Sequence, residues 1–510
     1  MGSAGTAPEL GTRQIAWRLF ATCWLVYALH FATDVVRELY PALALGDRLS
    51  FDLAEYCGLH PDLFETPGHG CHIGNNPGVS LLAAVPYALS RPLVDPLVAR
   101  VRAGRAARGE SEPPEFRTPW PNARRFYAEA WRRGLDVKLG LAAFVTQAFC
   151  MAPSSAAGVV LVFLVLAATL GDRRRALWLA LVYAFGTPVF LRTGFLNHNL
   201  MLGHIAFAGL VAVWNPWRGE RLSQRTRALV AGVAGGAAVL FDYSGVVLLA
   251  GLAVYLVIRR AGDGGLAAAR SAAGWYALGA LAPLLVLCGY QYAAFGHPFL
   301  PGQHWMPPVE FSERGYQGYE LPPQPELLAL LLVDHRFGLF VSMPLALLAL
   351  AAPFVERGAG RRLGRLELGA LLGVAVATWL FFGASNYTRL QFNTGLRYLA
   401  STLPFLFLPA ALVLARLRPL HAYAWGLLSL TVSWPLAMYR EVEVPLGVLD
   451  PVVRTFAGGF SLPALRTLSL TAGQYGDFFL HGVSPLPLFA LAGAILYGLW
   501  SPRFRRAPNP

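Results

Sequence analysis

Apolar runs that can cross a bilayer recur along the whole chain, separated by short arginine-bearing loops, and they exclude a soluble globule. About 20 apolar residues span the hydrocarbon core as a helix, because only intrahelical hydrogen bonds satisfy the backbone where water is absent. Segments 14–33, 138–170, 174–191, 198–214, 226–241, 243–258, 272–295, 337–354, 367–384, 398–415, 421–438 and 484–500 meet or approach that length. With 55 % hydrophobic and 14 % charged residues over 510 positions, the expected fold class is an all-α polytopic membrane protein. It would hold about twelve transmembrane helices in one domain, residues 1–510. The first run has no small-residue cleavage site before the acids that follow, so it reads as an uncleaved span.

A formal charge of +13 would suggest nucleic acid in a soluble protein. Here the arginines sit mostly in loops that orient the chain, and nucleic acid is not expected as a partner. With the amino terminus inside, "GDRRR", "NPWRGERLSQRTR", "RRAGDGGLAAAR", "ERGAGRRLGR", "ARLRPL" and the tail "SPRFRR" all fall inside, as the positive-inside rule asks. Residues 34–137, 296–336 and about 439–483 then form outer stretches. One segment opposes this assignment: 98–138 holds ten Lys or Arg against five Asp or Glu. Making 78–97 a span and splitting 138–170 into a hairpin at "APSS" would restore the rule, but each half of that hairpin is short. Pro86, Arg91, Pro92, Asp95 and Pro96 favour the other reading, a partly embedded interfacial helix, with "ARRFYAEAWRRG" lying against anionic headgroups.

The first outer stretch is acidic: Asp34, Glu38, Asp47, Asp52, Glu55, Asp62 and Glu65 stand against Arg37 and Arg48 over residues 34–77. Asp34 is expected to end the first helix at the interface, where partial desolvation raises a carboxylate's pKa and makes it a better base. Arg37 lies three residues on, on the same face if the helix continues. Such a pair suits deprotonation of a hydroxyl beside a phosphate, or serves as a helix-ending salt bridge. Cys57 and Cys71 share the loop with His60, His69 and His72, which leaves a disulfide, a zinc site or free thiols open. A disulfide there would close a loop of about 15 residues and contribute roughly 3 kcal/mol in the chain-entropy model. Elsewhere, His198 and His204 read as packing or interface residues, and Asp242 in "FDYSG" as a cap or interface contact.

"DVVRELYPALALGDRLSFD" followed by "GHGCHIGNNPGVSLLAAVPYAL" resembles the first outer loop of GT-C superfamily glycosyltransferases, polytopic enzymes that use polyprenyl-phosphate sugars. Protein O-mannosyltransferases and lipid A aminoarabinose transferases are relatives in that superfamily. Asp34, Arg37, Gly46, Asp52, Gly68, His69, Pro77 and Gly78 fall on the pattern, and "FGHPFLPGQ" and "NTGLRYLASTLPFLFL" resemble two later family segments, so the likeness runs from Asp34 to about Leu408. Two positions depart. Val35 stands where the family often has a second acid, and Asn75, followed by Asn76, stands where it has a lysine before Pro-Pro-Gly.

The resemblance implies transfer of a sugar from a polyprenyl-phosphate donor to a hydroxyl on a glycan, lipid or protein acceptor. The active site would face outward from the cytoplasmic membrane, with membrane lipids around it. Asp34 would be the base, and Arg37, His69, His72, Asn75, Asn76 and Arg397 would hold substrate; whether a divalent metal assists is left open. Two other classes compete. A secondary transporter would carry ionisable groups near the midplane at broken helices and show paired repeats, whereas here the charges fall at outer ends and no second half repeats. A non-catalytic cell-envelope assembly protein would account for the absent lysine and second acid.

Overall fold

A computed structural model of the chain describes residues 10–501 apart from 218, 220–221, 311, 358–361, 392–393, 441–445 and 472–481. Most of the arginine tail and parts of two arginine loops therefore lie outside the described residues, as does Asn393 at the head of the last family-like segment. The described chain is a helical bundle with one two-stranded sheet.

The first helix, α1 (Thr12–Leu29), stops before the acidic stretch. Backbone and side chains share its last carbonyls: Val26 O accepts His30 N at 3.2 Å with the His30 ring also 2.9 Å away, Ala28 O accepts Phe31 N at 3.3 Å, and Gln147 Nε2 donates to Tyr27 O at 2.9 Å. With those acceptors satisfied, nothing forces a further turn. Residues 31–36 run on without helix, and Ala32 N donates to Gly194 O at 2.8 Å. The expected span to residue 33 thus ends four residues early, and Asp34 and Arg37 share no helical face.

Beyond this segment come α2 (Leu39–Arg48), the strands β1 (Leu63–Thr66) and β2 (Gly70–Ile73), α3 (Gly78–Ala107) and α4 (Pro121–Arg132). The next pieces, α5 (Asp136–Thr146) and α6 (Ala152–Leu170), are joined by a π-helical turn over Gln147–Met151, and the three form one 35-residue apolar helix. The alternative hairpin at "APSS" does not form. A proline in the first turn after the π segment gives up only an N–H that the wider turn leaves unpaired. α3 lies beside α2, with Tyr87 OH donating to Asp47 Oδ1 at 2.9 Å. Its far end meets the start of α5 through a two-pronged pair, Arg105 to Asp136 at 2.9 and 2.7 Å, and Lys138 reaches Asp47 at 2.8 Å.

The bundle continues with α7 (Arg173–Phe185), α8 (Val189–Thr193), α9 (His198–Trp214), α10 (Gln224–Phe241) and α11 (Gly245–Phe295). Asp172 and Ser223 cap α7 and α10 by accepting backbone N–H groups. α11 is two helices that meet at Gly264 and Gly265, the latter at φ +69°, where a side chain would be strained. Then follow α12 (Pro325–Val333), α13 (Leu339–Ser342), α14 (Ala346–Val355), α15 (Arg365–Gly383), α16 (Leu403–Leu414), α17 (Pro419–Met438), α18 (Leu449–Gly458), α19 (Pro463–Thr471) and α20 (Leu486–Trp500).

By length and composition four helical stretches can cross a membrane: Gly78–Ala107, Asp136–Leu170, Gly245–Phe295 and Arg365–Gly383. Shorter apolar helices include His198–Trp214, Ala346–Val355, Tyr398–Leu414 and Leu486–Trp500. Each of the twelve segments read from sequence coincides with helix over most of its length. The arginine loops gather at one end of the bundle. There Arg173 donates to Leu10 O at 3.1 Å, Arg175 to Ala415 O at 3.2 Å, Arg416 pairs with Glu356 at 2.7 Å, and Arg259 pairs with Glu367.

With that arginine-rich end inside, single thiols introduced at two exposed positions should label differently in intact cells. Glu313→Cys should react with a membrane-impermeant maleimide, and Arg362→Cys only after permeabilisation; the reverse pattern would invert the topology.

Candidate functional site

The stretch over residues 34–77 is built on a compact frame. β1 and β2 pair antiparallel from Leu63 opposite Ile73 to Thr66 opposite Gly70, and a disulfide joins Cys57 to Cys71 with Cα atoms 6.2 Å apart. The bonded thiols replace the zinc alternative. Asp52 Oδ1 accepts from Ala54 N at 3.1 Å and Cys71 N at 3.3 Å. Gly70, at φ +89°, leaves room for this carboxylate, since a Cβ there would lie 2.8 Å from Asp52 Oδ1.

His72 belongs to this frame and not to a substrate surface. It is buried, with Nδ1 3.0 Å from Phe51 O and Nε2 2.8 Å from His69 O, and burial pushes its imidazole pKa down. His69 is exposed, and its ring packs over Gly296. Asn76 is likewise a clamp: its buried Nδ2 donates to Val239 O at 2.6 Å, satisfying a carbonyl in the last turn of α10. Beside it Gly78 packs so tightly on α10 that a Cβ would lie 2.6 Å from the Phe241 ring. This close approach gives the "NNPG" turn a physical reason.

Where α2, α3, α9 and α10 meet, a polar cluster forms around Glu38, a residue the sequence reading passed over. Its side chain is 5 % exposed, and Oε1 lies 2.7 Å from His198 Nδ1, 3.3 Å from Asn75 Nδ2 and 3.5 Å from Arg37 Nε. Ser80 Oγ donates to its backbone carbonyl at 2.7 Å. Across the imidazole, His198 Nε2 stands 3.6 Å from Asp242 Oδ2. Burial raises the Glu38 pKa, but the His198 hydrogen bond and the charges of His198 and Arg37 outweigh it and hold the carboxyl well below the usual range.

Arg37 has a second carboxylate, Asp62, at 2.6 Å. Burial lowers the Arg37 pKa, and Glu38 and Asp62 more than compensate, so it is held as a fixed cation. Placed between two acids, it has little charge to spare for a phosphate. Arg397 donates to Leu390 O at 2.9 Å and lies over the Tyr398 ring at 5.2 Å. Tyr398 lies in the field of Arg397, Arg37, Asp242 and Asp62, which places these charges near one another at this end of the bundle.

Asp34 faces a different cation from the one expected. Its carboxylate, 44 % exposed, is 3.8 Å from Nη1 of Arg440, just past the end of α17. The Arg440 side chain is only 8 % exposed and stacks on Phe195 at 4.6 Å. Behind it Arg192, 2 % exposed, donates to the Leu396 carbonyl and, at 2.8 Å, to Gly395 O. On both sides of Asp34 in the extended segment, Thr33 and Val35, with Phe31 before them, line an apolar cavity of about 400 Å³ beside Phe126, Phe144 and Leu468. Alternate residues of this segment thus line the cavity, and Asp34 is not among them. Among the described residues no group of three or more His, Cys, Asp or Glu side chains is arranged to hold a metal ion.

Removing either member of the Glu38–His198 pair takes a hydrogen bond to a charged group out of a buried cluster, so Glu38→Gln or His198→Ala should cost about 1.5–3 kcal/mol of stability. The change should appear as a lower unfolding midpoint in detergent. Because the folded-state pKa of Glu38 is depressed, its contribution is complete above the unfolded carboxylate value of about 4.3 and is lost as pH falls below it. The gap between wild type and Glu38→Gln should therefore hold steady above about pH 5 and narrow below about pH 4.

No family model matches the chain, and no curated protein matches it. Two solved structures are similar to it, both of ArnT from Cupriavidus metallidurans. The form bound to undecaprenyl phosphate shares 14 % identity at a TM-score of 0.49, with 96 % of this chain and 75 % of that one covered. For the apo form the values are 13 % identity, TM-score 0.49, 95 % and 75 %.

Proposed function

We propose that the protein is a membrane glycosyltransferase that moves a sugar from a polyprenyl-phosphate donor to the hydroxyl of a glycan, lipid or protein acceptor at the outer face of the cytoplasmic membrane. The observation that carries this reading is Asp34: a half-exposed carboxylate beside buried guanidinium groups, at the end of the bundle opposite the arginine loops. Asp34 takes the proton of the acceptor hydroxyl, whose oxygen attacks the anomeric carbon. The bond from that carbon to the phosphate oxygen breaks, its electron pair leaves with the lipid phosphate, and the configuration inverts in one displacement. Arginine charge stabilises the leaving phosphate.

Residues 34–137 and 296–336 form the outer cover of the site. α3 supports this: it starts against the end of α10, and its far end is tied to the start of α5 and not to the arginine-rich end. A transporter finds less support, because the ion pairs collect at the two ends of the bundle and not at mid-length. One observation favours a second base. Asp242 is backed by His198 and Glu38, an arrangement that can hold a carboxylate or pass a proton.

Loss of a general base lowers rates by roughly 10²–10⁴-fold. Asp34→Asn should therefore remove detectable transfer in membranes supplied with lipid-linked sugar, while expression and donor binding persist. Asp242→Asn should retain most activity. If Asp34→Asn works at the wild-type rate and Asp242→Asn does not, the base is Asp242; if neither variant loses transfer, the enzymatic reading fails.

A further inference from the structure

The charges around Asp34 do not balance. Arg440 and Arg192 are both buried, and among the described residues Asp34 is the carboxylate they face. Arg192 is bound by backbone carbonyls, which supply dipoles and no countercharge. Arg440 uses Nη2 on the Leu191 carbonyl, while its buried Nη1 makes no hydrogen bond, Asp34 at 3.8 Å being beyond reach. Burial pushes the Arg440 pKa down to about 10, against the raising effect of Asp34. Arg192 feels the repulsion of both Arg397 and Arg440. A buried, unpaired guanidinium N–H next to like charge is expensive unless an anion completes it. The contrast with Arg37 is direct: that guanidinium has two carboxylates within 3.5 Å.

We infer that Arg440, supported by Arg192, forms an anion-binding site for the phosphate of a lipid-linked substrate, with Asp34 as the internal counter-ion that the phosphate displaces. This rests on the glycosyltransferase reading for its choice of a lipid phosphate, and it replaces Arg37 with Arg440 as the phosphate contact. Its position follows from the fold. Arg440 leaves the end of α17 beside Gly194 and the end of α1, where a bound phosphate would sit within reach of the Asp34 carboxylate. Displacing Asp34 from the guanidinium by phosphate would free that carboxylate to accept a proton once the donor is bound.

Binding to the full-length protein in detergent, read by intrinsic tryptophan fluorescence, tests the site with three probes: a polyprenyl monophosphate, the uncharged polyprenol of equal length, and inorganic phosphate. Arg440→Gln should weaken polyprenyl monophosphate at least tenfold and leave polyprenol unchanged, with Arg440→Lys recovering part of the loss. Asp34→Asn should tighten polyprenyl monophosphate several-fold, because it removes the competing anion; this solvent-facing change also reports on the site if Arg440→Gln fails to fold. Equal weakening of polyprenol and polyprenyl monophosphate, or unchanged phosphate binding in Arg440→Gln, would overturn the inference. So would inorganic phosphate binding as tightly as the lipid, since the source would then be free phosphate. These readouts are independent of transfer. Wild-type transfer by Asp34→Asn would remove Asp34 as the base without touching the anion site, and loss of transfer with unaltered lipid binding would do the opposite.

Discussion

The buried carboxylate of Glu38 is the point on which this end of the molecule is organised. A charge this well removed from water is tolerated only where partners surround it. Its carboxylate draws Arg37 beside it, Asn75 just before α3 and His198 at the head of α9, while Ser80 within α3 donates to its backbone carbonyl. The loop between α2 and α3 is thereby fixed to the helix ends and cannot lie loose on the membrane surface. Its other fastenings, the Cys57–Cys71 disulfide and the Asn76 clamp on α10, then hold a frame that is already docked.

The bundle was largely legible from hydropathy, because a chain in lipid must satisfy its backbone within helices wherever it is apolar. The end of α1 was not, and the reason is tertiary. Gln147, more than a hundred residues away, takes the Tyr27 carbonyl at the end of the helix. Reading Asp34 and Arg37 as helical neighbours therefore failed although both residues face polar surroundings. The same distance hid the cluster: Glu38 and His198 are 160 residues apart, and neither carries a local motif. The turn that holds Asn75 brings its amide to Glu38, and His72 and Asn76 bind backbone carbonyls beside it.

Two signals in the sequence did point to the arginines that were missed. Arg192 interrupts the apolar stretch "VFLRTGFL", and an ionisable residue there has a function or a partner by default. Arg440 follows a span on the side where the positive-inside rule expects few cations. Each is a local exception to the pattern that made the bundle readable. Their meaning needed the fold, which stacks Arg440 on Phe195 and sets Arg192 behind it.

The two polar groups at this end differ in kind. Around Glu38 the charged groups are paired with one another, Arg37 between Glu38 and Asp62 and His198 between Glu38 and Asp242. Around Arg440 cationic charge is in excess among the described residues. The extended run from Phe31 to Val36 keeps the two apart. Had α1 continued for a little over two more turns, Asp34 would have met Arg37, a guanidinium already held by Glu38 and Asp62, and its own charge would have been superfluous there. By ending the helix at Leu29 the chain instead carries Asp34 to a cation with one unfilled N–H and turns Phe31, Thr33 and Val35 into an apolar cavity on the other face of the same segment. A carboxylate, a cation short of an anion and a greasy recess are thus set side by side by six residues of non-helical backbone, the combination that an amphiphile with a charged head requires.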